Sequence, residues 1–172
     1  MKATGPEEKI VVLGMGNSVV SDDRVGLAVA EQVRALLDES PIANVVVSES
    51  TRGGLELIDL LSGYRHAIIV DCLTLPDPRP GRVVQLSLGE VSGSARLVNA
   101  HEISIAEAFA LAAHLGIDMP ETVEIYAVEG GDTTTVSEQM TPPVEAAVLP
   151  LARRIHASLA KRAVERQDPA TT

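Results

Sequence analysis

The chain is short of the residues on which several protein classes depend. Of its 172 residues one is a cysteine, Cys72, none is a tryptophan, and the only aromatic rings are Tyr64, Phe109 and Tyr126. A single cysteine excludes a disulfide framework and a thiolate zinc knuckle, and it suits a reducing compartment. Basic side chains are scarce as well: 14 Lys and Arg stand against 24 Asp and Glu, for a formal charge of −10. That balance argues against a nucleic-acid or anionic-membrane partner, because both select basic surfaces. No apolar run approaches the ~18 residues of a membrane span, and the opening MKATGPEEKI is too polar for a signal peptide. The expectation is an acidic, soluble domain working in the cytoplasm.

What is present is aliphatic. With 45% hydrophobic residues the chain fills a core, and its length fits one domain of roughly 100–200 residues. Residues 1–8 read as a polar lead-in, 9–165 as a single domain and 166–172 as a frayed tail. KIVVLG (Lys9–Gly14), ANVVVS (Ala43–Ser48), HAIIVD (His66–Asp71) and TVEIYAV (Thr122–Val128) are continuous β-branched runs, the pattern of strands buried on both faces. RVVQLSL (Arg82–Leu88) alternates and predicts a strand with one wetter face. Helical spacing marks Asp23–Asp38, Leu55–Leu61 and His101–Leu115. Thr141-Pro142 caps a last helix that Pro150 should kink, and Gly89–Asn99 reads as an irregular loop. Alternating strands and helices predict a three-layer α/β sandwich, an approximately five-stranded, mostly parallel twisted sheet with helices on both faces. Ligands of such sheets collect beyond the carboxyl ends of the strands. That rule selects Gly14–Asp23, Ser48–Gly54 and Asp71–Gly81.

GMGNSVV after the first strand invites a dinucleotide reading, with Glu49 as a ribose ligand. The fingerprint fails at its third glycine, where Val19 stands. A pyrophosphate would also sit on a helix end carrying Asp22 and Asp23, which attract cations instead. Asp22 is expected to cap that helix, while Asp23, one step further, points back across the crevice. Asp71 ends its strand where α/β sheets place functional side chains, and Cys72 should face the other way as a buried, inert thiol. Among the four histidines only His101 lies beside a long polar loop able to reach the crevice. Asp23, Asp71 and His101 make an incomplete, borderline-hard metal site with positions left for water or substrate. Without a metal, the two acids would divide general acid and base work. No GxSxG elbow or Cys-His signature supports a covalent route.

VVLGMGNSVVSDDRVG (Val11–Gly26) resembles the opening signature of the hydrogenase maturation endopeptidases. The resemblance continues through Gly53-Gly54-Leu55-Glu56-Leu57, Ile69-Val70-Asp71 with Pro80-Gly81, His101-Glu102, Val128-Glu129 and Thr141-Pro142 with Val144-Glu145. It implies a compact α/β peptidase of aspartyl type. Such enzymes remove a C-terminal extension from the large-subunit precursor of a nickel–iron hydrogenase after nickel insertion. Carried over motif by motif, the metal-contacting residues fall on Asp23, Asp71 and His101. Nickel would then arrive with the substrate, no tightly bound cofactor is expected, and the enzyme would act as a monomer. Arg24 stands where many relatives have glycine, a cation able to lower the Asp23 pKa. Two other classes stay open at this point: a Rossmann-like nucleotide-binding enzyme, and a non-catalytic metallochaperone or adaptor for a hydrogenase subunit.

Overall fold

The β-branched runs form the sheet, and their order in space decides which loops meet. The computed structural model describes residues 8–51, 53–93 and 105–167. Its strands are β1 (Ile10–Met15), β2 (Val45–Ser50), β3 (His66–Leu73), β4 (Val83–Leu86) and β5 (Thr122–Glu129), in the order β2-β1-β3-β5-β4. β1 pairs in parallel with β2 and β3, and β3 with β5, while β4 closes one edge antiparallel to β5. The expected mostly parallel, five-stranded α/β sandwich is therefore the observed fold.

Alternation along the strands separates two cores. On one face Ile10, Val12, Ile68, Val70 and Val128 pack under α1 (Val25–Glu39) and α5 (Pro142–Gln167). On the other, Val11, Leu13, Ala67, Ile69 and Ile125 pack under α2 (Glu56–Leu61) and α4 (Ile105–Leu115). Each fully buried Ile or Leu withdraws enough apolar surface to be worth roughly 2 kcal/mol. The side chains do this almost without aromatic rings.

Some boundaries differ from expectation for physical reasons. β2 is an edge strand rather than a strand buried on both faces, and Val46 stays 40% exposed. Apolar composition does not say whether a strand has one neighbour or two. The segment expected as a loop from Gly89 starts inside a short helix, α3 (Leu88–Gly93), and residues 94–99 lie outside the described part. α4 buries a single stripe, Ile105, Ala108 and Ala112; its apolar look comes from small alanines that need no cover. Pro150 does not interrupt α5, because it and Ala146, whose carbonyl it leaves without a partner, both lie on the exposed side. The helix also runs to Gln167, past the point where fraying was expected.

At the amino end of the sheet the buried His66 places Nδ1 2.5 Å from Thr122 Oγ1. Its Nε2 lies 3.3 Å from Glu124 Oε1, within ion-pair reach but off the line of a hydrogen bond. His66, then Arg162 and the Tyr126 hydroxyl, hold the Glu124 carboxyl down at about 2 against its burial. This cluster ties α5 to the end of the sheet opposite Asp71.

One close approach sets the depth at which α1 lies. A Cβ on Gly26 would stand 2.1 Å from the Met15 carbonyl oxygen and 2.4 Å from that of Val70. A Cβ on Gly14 would stand 2.3 Å from the Gly26 carbonyl oxygen. These obstacles are backbone atoms, so nothing gives way by changing rotamer. Gly26→Ala is expected to cost about 3 kcal/mol or more by overpacking, read as a fall in the urea midpoint. At Gly63, by contrast, a Cβ meets nothing within 4 Å. Gly63→Ala should cost only the left-handed backbone, φ +78°, or about 1–2 kcal/mol.

Candidate active site

The parallel strands deliver the loops after β1, β2, β3 and β5 to one end of the sheet. In the first loop Gly16 has φ +149°, and a Cβ there would lie 2.0 Å from the Asp23 carbonyl oxygen. The glycines of GMGN are thus occupied by contacts within the chain, Gly14 against Gly26 and Gly16 against Asp23. Their backbone is packed against protein where a dinucleotide fingerprint would pack it against pyrophosphate. This removes the main support for the nucleotide reading.

Asp23 sits in the 3-10 turn Asp22–Arg24 that opens α1. Burial pushes its carboxyl up, while the Asn17 backbone N–H, donating to it, works the other way. Asp71 lies near the end of β3, two residues beyond Ile69 and so on the α2 and α4 face. Its Oδ1 accepts the Cys72 N–H at 2.8 Å. Burial first, and then the neighbouring Asp23 charge, push Asp71 up to about 7 from an ordinary 3.8. Asp71 therefore feels the charge of Asp23, the acid expected to share its crevice. Cys72 turns to the opposite face, buried among α1 and α5 side chains. Burial and the Asp23, Asp71 and Asp22 charges keep its thiol protonated.

His101 lies outside the described residues. The described chain resumes at Ile105, whose side chain packs on the Asp71 face of the sheet. Among the described residues no three His, Cys, Asp or Glu side chains are gathered as a metal site. Burial raises both the Asp23 and the Asp71 carboxyls, and carboxyls that keep their protons longer bind a metal ion less readily, because ligands must be deprotonated. The cavity of about 290 Å³ beside Lys9, Tyr64, Arg65 and Asp118 lies at the other end of the sheet. There Arg65 is paired with Glu8 at 3.2 Å and Glu121 at 2.9 Å.

Two further carboxylates build the rim. Asp22 is fully buried, and it does not cap its own helix. It accepts the N–H groups of Gly131 and Asp132 at 2.8 Å each, the Thr141 N–H at 2.7 Å and the Thr141 hydroxyl at 2.9 Å. Glu129, at the end of β5, is buried completely as well. It accepts the Arg79 N–H at 2.6 Å and pairs with the Arg82 guanidinium, which fastens the proline-rich loop after β3. Despite burial, those donors hold the Glu129 carboxyl below its usual range. Arg24 does not act on Asp23 as expected. Its guanidinium donates to the Glu138 carbonyl, and the Asp23 carboxyl is raised rather than lowered.

A sheet of this order with two raised acids past its carboxyl end is a frame shared by many α/β proteins, and comparison with known proteins gives the class. The profile of the HycI hydrogenase maturation protease family matches residues 27–158. The chain belongs to that family, and so to the peptide hydrolases. It is 24% identical over 160 residues to the hydrogenase 2 maturation protease of Escherichia coli K12, covering 91% of this chain and 94% of that one. Among solved structures, the hydrogenase maturating endopeptidase HybD from E. coli superposes with a TM-score of 0.74 at 24% identity, over 90% of this chain and 93% of that one. HycI from Thermococcus kodakarensis KOD1 gives 0.64 at 20% identity, over 89% and 93%.

The displaced Asp71 pKa has a consequence for stability. The folded state holds the proton to about pH 7, while the unfolded chain releases it near pH ~4. Between those values the folded state binds more protons, so this group's contribution makes stability fall as pH rises. Above pH ~7 the penalty is complete, with an upper limit of about 4 kcal/mol. Asp71→Asn should therefore raise the urea midpoint at pH 8 and leave it nearly unchanged at pH 4.

Proposed function

We propose that this protein removes the C-terminal extension of a nickel–iron hydrogenase large-subunit precursor once nickel has been inserted. In this reading Asp23, Asp71 and His101 recognise the substrate-borne nickel. The observation that carries it is the pair Asp23 and Asp71, two desolvated acids coupled at the carboxyl end of the sheet. Such a pair binds a free divalent ion weakly, because ligands must lose their protons first. Nickel already held by precursor thiolates gains its remaining ligands from the protease. Productive binding then depends on a loaded substrate, and the unloaded precursor is spared.

Once the metal is seated, the scissile segment lies in a fixed orientation, which supplies much of the rate. Asp71 Oδ1 is engaged by the Cys72 N–H, so Oδ2 is the oxygen that faces the substrate. A carboxyl that titrates near 7 is suited to pass a proton at neutral pH. In this reading the two carboxylates do acid and base work as in the aspartyl proteases, without a covalent intermediate. We take the enzyme to act as a cytoplasmic monomer.

The test is incubation with nickel-loaded and nickel-free large-subunit precursor, followed by mass measurement of the product. Loaded precursor should be shortened and unloaded precursor left intact. Asp23→Asn, Asp71→Asn and His101→Ala should each lower processing at least about 100-fold with an unchanged circular dichroism spectrum. Full processing by Asp71→Asn would overturn the site. A stable complex without cleavage would identify an adaptor instead.

A further inference from the structure

The hydrogen bonds of the buried Asp22 carboxylate lead to a part of the chain more than a hundred residues away. Its four donors belong to Gly131, Asp132 and Thr141, 109 to 119 residues away. The contact is reinforced around it. The Asp22 N–H donates to the Asp132 carbonyl at 2.9 Å, the Ser21 N–H to Thr135 at 3.0 Å, and the Ser21 hydroxyl to Gln139 at 3.0 Å. Val20 and Val136 pair as an antiparallel bridge just ahead of it.

A carboxylate removed from water is costly unless its oxygens are fully engaged. The first turn of α5 does not require one from so far away, since any nearby Ser, Thr or Asp caps a helix. What the long-range bonds do accomplish is local to loop one. They clamp the 3-10 turn Asp22–Arg24 against the segment after β5, with Asp23 as the next residue in the turn. On its other side the turn is stopped by Gly16, whose backbone lies against the Asp23 carbonyl. The Asp23 carboxylate is in turn met by the Asn17 N–H. Gly131, held by Asp22, packs on Pro80 of the loop that Glu129 fastens, with only 2.8 Å from an added Cβ to the proline ring. The clamp therefore joins the loop that carries Asp23 to the loop that follows Asp71.

We propose that Asp22 is a positioning residue: bolted to Gly131, Asp132 and Thr141, it sets the direction in which Asp23 faces Asp71 across the crevice. The reaction it serves is the one proposed above, but the positioning itself is a property of the free protein. Asp22→Asn has nearly the same shape, yet it turns an amide toward donors that need an acceptor. The Asp23 carboxylate should then leave the Asn17 N–H.

Two-dimensional NMR of the full chain reads this without substrate. The Asn17 amide resonance in Asp22→Asn should move to the position it takes in Asp23→Ala, which has no acceptor for it. Thr141→Val should move it part of the way, and Thr141→Ser, which keeps the hydroxyl, should restore it. With loaded precursor, Asp22→Asn should lower kcat/KM about 100-fold, with KM raised as well as kcat lowered, since the redirected Asp23 is itself a substrate contact. An unmoved Asn17 resonance accompanied by a lower urea midpoint would overturn the proposal and make Asp22 a structural staple alone. If Asp22→Asn does not fold, the Thr141→Val and Thr141→Ser pair decides by the same resonance. Should the wild-type protein cleave no precursor, the functional reading fails, and the Asn17 resonance still decides the role of Asp22.

Discussion

Everything at the crevice depends on how closely α1 lies on the sheet. With hydrogen in place of a side chain at Gly14 and Gly26, helix and strand backbones touch. Helix α1 therefore starts directly over the end of β1 rather than a side chain's width away. The connecting loop has to double back tightly, which explains Gly16 against the Asp23 carbonyl. Asp22 and Asp23 then fall at the one place where consecutive residues serve opposite purposes. One is sunk into the protein as an acceptor for backbone N–H groups, and the other is left at the mouth.

The two kinds of buried acid behave differently for a common reason. Glu129 is given donors in proportion to its charge, and Asp22 has four. Asp71 receives a single N–H and a like-charged neighbour. The fold satisfies the acids that build the rim and leaves the candidate pair with fewer donors. Under-satisfied carboxylates are where an incoming cation gains most, because it supplies the charge that the protein withholds.

The strands were readable because a parallel sheet covered on both faces demands solid apolar runs, and β1 and β3 have them. Alternation alone placed Asp71 and Cys72 on opposite faces, as the two cores confirm. The edge position of β2 was not readable, since neighbours across a sheet leave no mark within one strand. Nor was α3, whose LGEVSG carries two glycines and a serine and so little helical preference. The partners of Asp22 were hidden for a deeper reason. They are mostly backbone N–H groups, which every residue but proline possesses, so no pattern of side chains announces them. Arg24 misled because its nearness in sequence to Asp23 implied an ion pair, whereas its long side chain reaches the Glu138 carbonyl instead.

Cys72 gives the site a selectivity of its own. Its sulfur lies one residue from Asp71, yet it is turned into the core and kept as a thiol by burial and three nearby carboxylates. A thiolate in that place would compete for copper, zinc or nickel and would make a lasting soft-metal trap. With the sulfur withdrawn, the described crevice offers oxygen ligands alone. On the reading proposed above, such a surface would take hold of a metal centre carried by the substrate and release it again.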